Sequence, residues 1–292
     1  MESSSLGIIT GGFNNMYRVI KVLNNNSILA LSSPENNEVI ILGKGIGFGK
    51  KISESIKNIE NAKIYTLQKQ SVPGKALKSA ASVKPEFLEI ANDIIIETEK
   101  AFGKVDNEIL LPLADHIAFA IERMKKGLNI SNPLNNDIKA LFNEEYIVAL
   151  KGKDIIKKVT GFTITDDEVG YITLHIHSSL DVENVSESMQ VAIAVRDCIT
   201  SIEDNLDIKI NTTSLSYSRL MSHIKYMVAR AFKGETIKLD MNDYIKTQLP
   251  HAYEIASDTC KKLSKRLKKE FDDVEIGYLA MHIERVFKDE QS

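Results

Sequence analysis

The sequence predicts a multidomain α+β protein in which a small antiparallel β domain precedes two all-α helical bundles. Three observations support this fold class. Strand-forming runs dominate residues 16–51, helical periodicity dominates from about residue 86, and the helical part contains an internal repeat. With 292 residues and 43 % hydrophobic content, the chain is long enough for two or three compact units.

Composition excludes several classes of protein. The 37 Lys+Arg residues against 40 Asp+Glu give a formal net charge of −3, which excludes a globally basic nucleic-acid binder but not a local basic site. Cys198 and Cys260 cannot build a disulfide framework and lie in no CxxC pair, which excludes a zinc module. Because the sequence has neither a signal-peptide pattern nor an apolar run of about 18 residues, we expect a cytoplasmic protein without membrane insertion.

The first folded segment has the pattern of a β meander. Apolar and β-branched runs cover residues 16–23, 27–31 and 38–42, and turns containing Asn, Pro and Gly separate them. A domain of about 45 residues buries little core, so we expect oligomerisation to supplement it. The small and polar residues 1–15 are predicted to form an N-terminal extension.

Helical patterns follow a short bridge. Residues 68–84 include a Val-Pro-Gly sequence and are predicted to form a linker or a first short helix. Apolar residues at three- and four-residue spacing then predict helices over 87–100 and 113–126.

The helical part repeats itself at an offset of 107 residues without a gap. Residues 115–123, DHIAFAIER, align with 222–230, SHIKYMVAR, and residues 170–176, GYITLHI, align with 277–283, GYLAMHI. Each copy spans about 105 residues, which is the size of one helical bundle.

Four of the six histidines occupy paired positions in the repeat. His116 and His175 lie 59 residues apart in the first copy, and so do His223 and His282 in the second. The simplest interpretation of any one of them is a packed core histidine. However, each early histidine has an Arg seven residues later on the same side of its helix, and each late one ends an apolar GYxxxH motif. This pattern predicts a polar pair in an apolar groove, which is costly unless it is used.

Such a pair has three possible uses. Metal binding needs further ligands, and His175 and His177 lie about 200° apart around a helix. Acid–base catalysis needs a substrate pocket, and the glycines from Gly43 to Gly49 lack the βαβ context of a nucleotide site. A neutral imidazole can also carry a phosphoryl group, whose charge would change how helices pack. Phosphorylation is the favoured hypothesis, and we expect no catalytic residue, metal or cofactor.

Polar and basic residues gather at two places in the β domain. Lys21 precedes the three asparagines at 24–26, and the segment 43–51 reads GKGIGFGKK. Lysines can contact phosphates, Asn amides can read base edges, and an exposed Phe can stack on an unpaired base. Because Asn-rich turns and glycine bulges are commonly only structural, composition leaves both interpretations open.

KVLNNNSILAL followed by GKGIGFGKK closely resembles the N-terminal co-antiterminator RNA-binding domain of the BglG/SacY/LicT family of transcriptional antiterminators. The four histidine motifs resemble those of its two phosphotransferase-system regulation domains, and the chain looks most like the glucose-type branch. The resemblance implies an extension over 1–15, a four-stranded antiparallel RNA-binding domain with its linker over 16–72, and all-α regulation domains over 73–182 and 183–292.

The resemblance implies a regulator without enzymatic activity. As a homodimer, it would bind a nascent RNA hairpin and prevent an overlapping terminator from forming. The implied RNA-binding residues are Lys21, Asn24, Asn26, Lys44, Gly45, Phe48 and Gly49. Many relatives carry Arg in place of Lys44 and Gln in place of Gly49.

The resemblance also implies the phosphoacceptors His116, His175, His223 and His282. A sugar-specific enzyme II would phosphorylate the first domain to inactivate the protein, and HPr would phosphorylate the second, often to activate it. Phosphate on the first domain is expected to loosen the dimer. His177 is a spare acceptor or a solvated bystander, and the second interpretation is favoured.

Two alternatives belong to other classes of protein. A DNA-binding activator with the same regulation domains would need a helix-turn-helix before the repeat, where residues 16–51 instead predict strands. A metal-dependent phosphohydrolase using the paired histidines would need a His-Asp dipeptide, which the sequence lacks.

Overall fold

The computed structural model describes residues 16–33, 36–57, 59, 61–67, 75–180 and 184–291. The predicted extension over 1–15 and the linker residues 68–74 lie outside these ranges. The chain forms two compact units. The first contains the described residues up to Asn129 together with Val148–Thr165, and the second contains Ile130–Ile147 together with the described residues from Asp166 onward.

A five-stranded antiparallel sheet opens the first unit. Its strands are β1 (Met16–Asn24), β2 (Ser27–Ser33), β3 (Asn37–Gly43), β4 (Ser55–Ile56) and β5 (Ala62–Thr66), in the order β4-β1-β2-β3-β5. The predicted fold class is confirmed, but the sheet has five strands rather than four. The short edge strand β4 pairs Ile56 with Tyr17 of β1, and two residues are too few to produce a periodic signal in the sequence. Between residues 16 and 51, the described chain is strand, turn and loop.

The central strands β2 and β3 have buried residues on both faces of the sheet, because successive side chains along a strand point to opposite faces. The pairs Ile28–Ile41 and Ala30–Val39 lie on one face. That face has a core made of Tyr17, Val19, Ile28, Ala30, Val39, Ile41 and Ile56. On the other face, Ile40 pairs with both Leu29 and Tyr65, and all three side chains are at most 1 % exposed.

The helices of the first unit are α1 (Lys75–Ser82), α2 (Pro85–Phe102), α3 (Leu110–Lys125) and the larger part of α5 (Asn143–Thr160). The predicted helices over 87–100 and 113–126 are confirmed as α2 and α3. Helix α2 begins with Pro85 in its first turn, and Gly103 ends it with a φ of 84°. Its apolar face, from Phe87 to Ile95, is buried, and α3 packs against it.

The second unit contains α4 (Asn135–Leu141), α6 (Asp166–Ser178), α7 (Val185–Leu206), α8 (Leu215–Lys233), α9 (Asn242–Gln248), α10 (Pro250–Leu267), α11 (Val274–Glu290) and the first turn of α5. Helix α10 packs against α7 and α11, and α11 packs against α8. Cys198 and Cys260 are free thiols in this core, and burial raises the pKa of each to about 12.

The helix boundaries repeat at the same offset of 107 residues as the sequence. Helices α4 and α9 begin at Asn135 and Asn242, and α5 and α10 end at Thr160 and Leu267. The repeat is therefore a structural one, built from helices that follow one another in the same order. In the described ranges, no helix is both long and apolar enough to cross a membrane.

Candidate functional site

The turn between β1 and β2 and the loop after β3 are hydrogen-bonded into one surface. The backbone N–H of Gly43 donates to Asn26 O at 2.9 Å, and that of Gly47 donates to Asn25 O at 2.9 Å. The Asn26 side chain adds a third link, because its Oδ1 accepts from Gly45 N at 3.0 Å. The two polar segments that the sequence singled out therefore lie side by side.

The glycines of this loop have two different roles. Gly45 and Gly49 have φ angles of 75° and 68°, in the left-handed region that favours glycine. At position 47 only a glycine fits, because a Cβ there would lie 2.1 Å from the backbone oxygen of Asn24. Gly47 is not among the predicted RNA-binding residues, although a glycine at every second position from 43 to 49 is a signal that could have identified it.

The predicted RNA-binding residues differ in how far they reach solvent. Lys21 and Lys44 are exposed, and the Phe48 side chain is 75 % exposed despite its apolar ring. Asn24 and Asn26, in contrast, are half-buried. The surface therefore presents cationic and aromatic groups outward, and both asparagines lie deeper within it.

The carboxylate of Glu89 on α2 binds both asparagines. Asn24 Nδ2 donates to Glu89 Oε1 at 2.6 Å, and Asn26 Nδ2 donates to Glu89 Oε2 at 3.1 Å. Sequence reasoning missed Glu89, because no local pattern indicates that a helix residue 63 positions away contacts the turn.

The two histidines of the second copy lie together. The rings of His223 on α8 and His282 on α11 stack, with their centroids 4.9 Å apart and an angle of 25° between the ring planes. Burial, together with His282 and Arg230, lowers the pKa of His223 to about 3, and burial with two arginines also lowers the pKa of His282. Both imidazoles are therefore neutral at pH 7, which is the nucleophilic form.

An ion pair supports this histidine pair. Arg230 donates from Nε to Glu275 Oε1 at 2.6 Å and from Nη2 to Oε2 at 2.9 Å, and the Glu275 side chain is only 2 % exposed. His223 Nε2 lies 3.6 Å from Glu275 Oε2. The expectation that the arginine lies on the side of the early histidine is confirmed in this copy. Sequence reasoning missed Glu275, although the repeat pairs it with Glu168.

The first two residues of the GYxxxH motif position the late histidine. The backbone N–H of Gly277 donates to Asn242 Oδ1 at 2.9 Å, and a Cβ on this glycine would lie 2.7 Å from the same oxygen. Tyr278 donates from Oη to the backbone oxygen of Leu239 at 3.0 Å. Glycine thus allows α11 to approach α9 closely, which brings His282 to its position one turn further along the helix.

The first copy carries the corresponding residues. His116 lies half-buried on α3 in the first unit, and His175 lies half-buried on α6 in the second. The offset of 107 residues pairs Arg123 and Glu168 with the arginine and glutamate of the ion pair described above. A histidine pair in the first copy remains a prediction from the repeat.

His177 is not solvated, contrary to the sequence-based interpretation. Its side chain is 9 % exposed, its ring stacks on Phe142 at 4.0 Å, and its Nδ1 lies 3.0 Å from Glu145 Oε1. Although burial opposes it, the hydrogen bond with His177 and the charge of Lys225 lower the pKa of Glu145. The histidine is a packed partner of a buried carboxylate, a contact that periodicity cannot reveal.

Within the described part of the chain, no group of three or more His, Cys, Asp or Glu side chains is arranged to hold a metal ion. The second copy instead offers two neutral imidazoles beside a buried ion pair. This arrangement suits the transfer of an anionic group to nitrogen.

Two domain models of known protein families match this chain. The CAT RNA-binding domain model matches residues 17–72, and the PRD domain model matches residues 88–179 and 196–286. The asparagines and the glycine-rich loop lie within the first match, and all four paired histidines lie within the other two.

Several relatives align with nearly the whole of this chain. The chain is 34 % identical to the PtsGHI operon antiterminator of Bacillus subtilis (strain 168), over 94 % of this chain and 98 % of the relative. It is 32 % identical to the GlcA/GlcB genes antiterminator of Staphylococcus carnosus (strain TM300), over 91 % and 94 %, and 28 % identical to the transcription antiterminator LicT of B. subtilis, over 93 % and 99 %.

A solved structure agrees with these relatives. The crystal structure of GlcT CAT-PRDI is 35 % identical in sequence and superposes with a TM-score of 0.50, covering 56 % of this chain and 98 % of that one. The chain therefore belongs to the family of transcription antiterminators that carry a CAT RNA-binding domain followed by two PRD domains.

Proposed function

We propose that this protein binds a hairpin in a nascent messenger RNA and so prevents the overlapping terminator hairpin from forming. The chain is a regulator rather than an enzyme, and its partners are RNA and proteins of the phosphotransferase system. We further propose that it binds RNA as a homodimer and acts in the cytoplasm, where nascent transcripts are made.

One observation carries this proposal. The β1–β2 turn and the loop after β3 are held together by three hydrogen bonds and present Lys44 and the ring of Phe48 to solvent beside them. Lysine ammonium groups attract phosphates, and an exposed ring stacks on an unpaired base of a hairpin loop or bulge. We assign the RNA contacts to Lys21, Asn24, Asn26, Lys44, Gly45, Phe48 and Gly49.

Control of the RNA-binding domain is proposed to come from the repeated histidines. His116 and His175 would accept phosphate from a sugar-specific enzyme II, and His223 and His282 would accept it from HPr. The neutral imidazoles and the buried ion pair of the second copy support this assignment. A phosphoryl group adds a charge of about −2 close to a carboxylate that is already buried, so the helices must repack.

The glucose-type branch is supported by two of the relatives. One is named for the ptsGHI operon, and the other is named for the glcA and glcB genes. We infer that the inducing sugar of this protein is glucose or a closely related sugar.

Transcription in vitro tests the proposal directly. A template carrying an antiterminator hairpin that overlaps a terminator is transcribed with and without the full-length protein. We expect the protein to increase the read-through fraction, and phosphorylation by enzyme II to abolish this increase. Mass spectrometry of the phosphorylated protein would locate phosphate on the four paired histidines. Unchanged read-through on a template whose hairpin the protein binds would contradict the proposal.

A further inference from the structure

We infer that Glu89 is an internal competitor of RNA, whose carboxylate occupies the asparagine amides that otherwise contact the hairpin. This inference rests on the proposed function, because it concerns the same RNA-binding surface. It assigns to the first regulation domain a direct contact with that surface.

The geometry of the carboxylate matches that of a bound anion. One Glu89 oxygen accepts from Asn24 Nδ2 at 2.6 Å, and the other accepts from Asn26 Nδ2 at 3.1 Å. An RNA phosphate also presents two anionic oxygens, and the acceptor edge of a base presents similar atoms. The two oxygens of one carboxylate therefore accept from both amide donors, as the two oxygens of an RNA phosphate would.

Glu89 is not needed to orient the asparagines. Asn24 Oδ1 already accepts from Asn26 N and from Ser27 Oγ, both at 2.8 Å. Asn26 Oδ1 accepts from Gly45 N at 3.0 Å. The two side-chain amides are thus held through their oxygens, and their nitrogens donate to Glu89. Its negative charge also repels the phosphates of an approaching RNA.

Helix α2 is anchored to the sheet by other residues of the same face. Tyr65 Oη donates to Asn92 Oδ1 at 2.6 Å, and Lys63 Nζ lies 2.5 Å from Glu99 Oε1. Asn92 and Glu99 follow Glu89 by three and ten residues, which places them on one side of the helix. These contacts keep α2 on the sheet when Glu89 is changed, so its removal exposes the amides without undocking the helix.

The test is an RNA titration of the full-length protein with the hairpin of the read-through assay. Glu89→Ala is compared with the wild type and with Glu97→Ala. The second variant loses the same charge from the same helix, but Glu97 pairs with Lys100 and Lys151 rather than with the turn. Melting curves check that each variant remains folded.

We expect Glu89→Ala to bind the hairpin about tenfold more tightly, as when an occluded state that holds about nine-tenths of the molecules is released. Glu97→Ala should stay within about twofold of the wild type, since Glu97 pairs with two lysines and leaves the asparagine amides untouched. The gain should also be larger for the hairpin than for an unstructured RNA of the same length.

Four results would overturn the inference. Weaker binding by Glu89→Ala would show that the carboxylate orients the amides for RNA. Equal gains in both variants, or equal gains on both RNAs, would show only a general charge effect. If no variant bound the hairpin, the proposed function itself would fail, whereas hairpin binding unaffected by Glu89→Ala would overturn this inference alone.

Discussion

The ring of Phe48 is an apolar group that the fold does not bury. It is 75 % exposed on the loop after β3, so its removal costs the core nothing. We expect Phe48→Ala to lower RNA affinity by about 1–3 kcal/mol, the usual range for a base stacked on an aromatic ring. The measurement is the dissociation constant of the hairpin complex at one fixed salt concentration.

Ile52 provides a matched control for Phe48. It lies four residues further along and is 71 % exposed, but its side chain offers no ring for stacking. Ile52→Ala should therefore bind RNA like the wild type. Similar losses in the two variants would show that the loop contributes general apolar contact rather than base stacking.

His223 links the second histidine pair to pH. Because its pKa falls from about 6.5 in the unfolded chain to about 3 in the folded one, the unfolded chain binds more protons between these values. The stability that depends on neutral His223 is thus complete above pH 6.5 and decreases as the pH falls towards 3. We expect this group alone to lower the free energy of unfolding by about 2 kcal/mol when the pH falls from 7.5 to 5.

Urea unfolding at pH 7.5 and pH 5 measures this effect. His223→Gln should lose less stability than the wild type over the same change in pH, since glutamine cannot be protonated there. His251→Gln, at an exposed histidine without a counterpart in the repeat, should behave like the wild type. An unchanged pH dependence in His223→Gln would contradict the geometry of the pair.

At the scale of elements, the contact of α11 with α9 depends on a glycine. Alanine in place of a helical glycine ordinarily stabilises a protein by about 0.4–1 kcal/mol. At Gly277 we expect the opposite sign, a loss of about 1–3 kcal/mol, because the added methyl group would meet Asn242 Oδ1 at 2.7 Å. The urea midpoint of the variant measures this loss.

Gly152 on α5 provides the comparison. There an added methyl group meets only the side chain of Ile94, at 3.0 Å from its Cδ1 and 3.2 Å from its Cγ1. Gly152→Ala should therefore cost less than Gly277→Ala or be stabilising. Gly277→Ala would contradict the account if it raised the midpoint, because α11 would then have room for a side chain at this position.

The elements show how far the sequence determines the fold. Strands β1 to β3 and helices α2 and α3 were predictable because each has its own periodicity and its own punctuation by Asn, Pro or Gly. Strand β4 was not predictable, since two residues have no period. Its pairing depends on β1, some 38 positions earlier in the chain.

The functional residues divide in the same way. The histidines and the RNA loop were identified because a repeat and a short motif carry them. Glu89, Glu275 and the burial of His177 were missed, because each depends on a contact between distant helices or between a helix and a turn. Tertiary partners of polar groups are set by packing, to which a linear pattern is insensitive.

For the whole molecule, the proposed control requires that negative charge added to the first regulation domain changes how the RNA-binding domain binds RNA. We expect His116→Asp, which adds a negative charge at one proposed acceptor, to weaken hairpin binding about tenfold, or about 1.4 kcal/mol. The variant should also shift the protein from dimer to monomer in sedimentation experiments. His251→Asp adds the same charge at an exposed histidine and should change neither property. A His116→Asp protein that remained dimeric and bound RNA like the wild type would contradict this control.

Direct RNA binding tests whether the β domain recognises an RNA hairpin. The full-length protein is titrated with an imperfect hairpin of about 30 nucleotides, with the same hairpin carrying changed loop bases, and with duplex DNA of equal length. A net charge of −3 makes general attraction to nucleic acid weak, so discrimination between these ligands reports the local surface. We predict tight, salt-dependent binding to the first hairpin alone. Equal binding to all three ligands, or binding to the DNA only, would contradict the account.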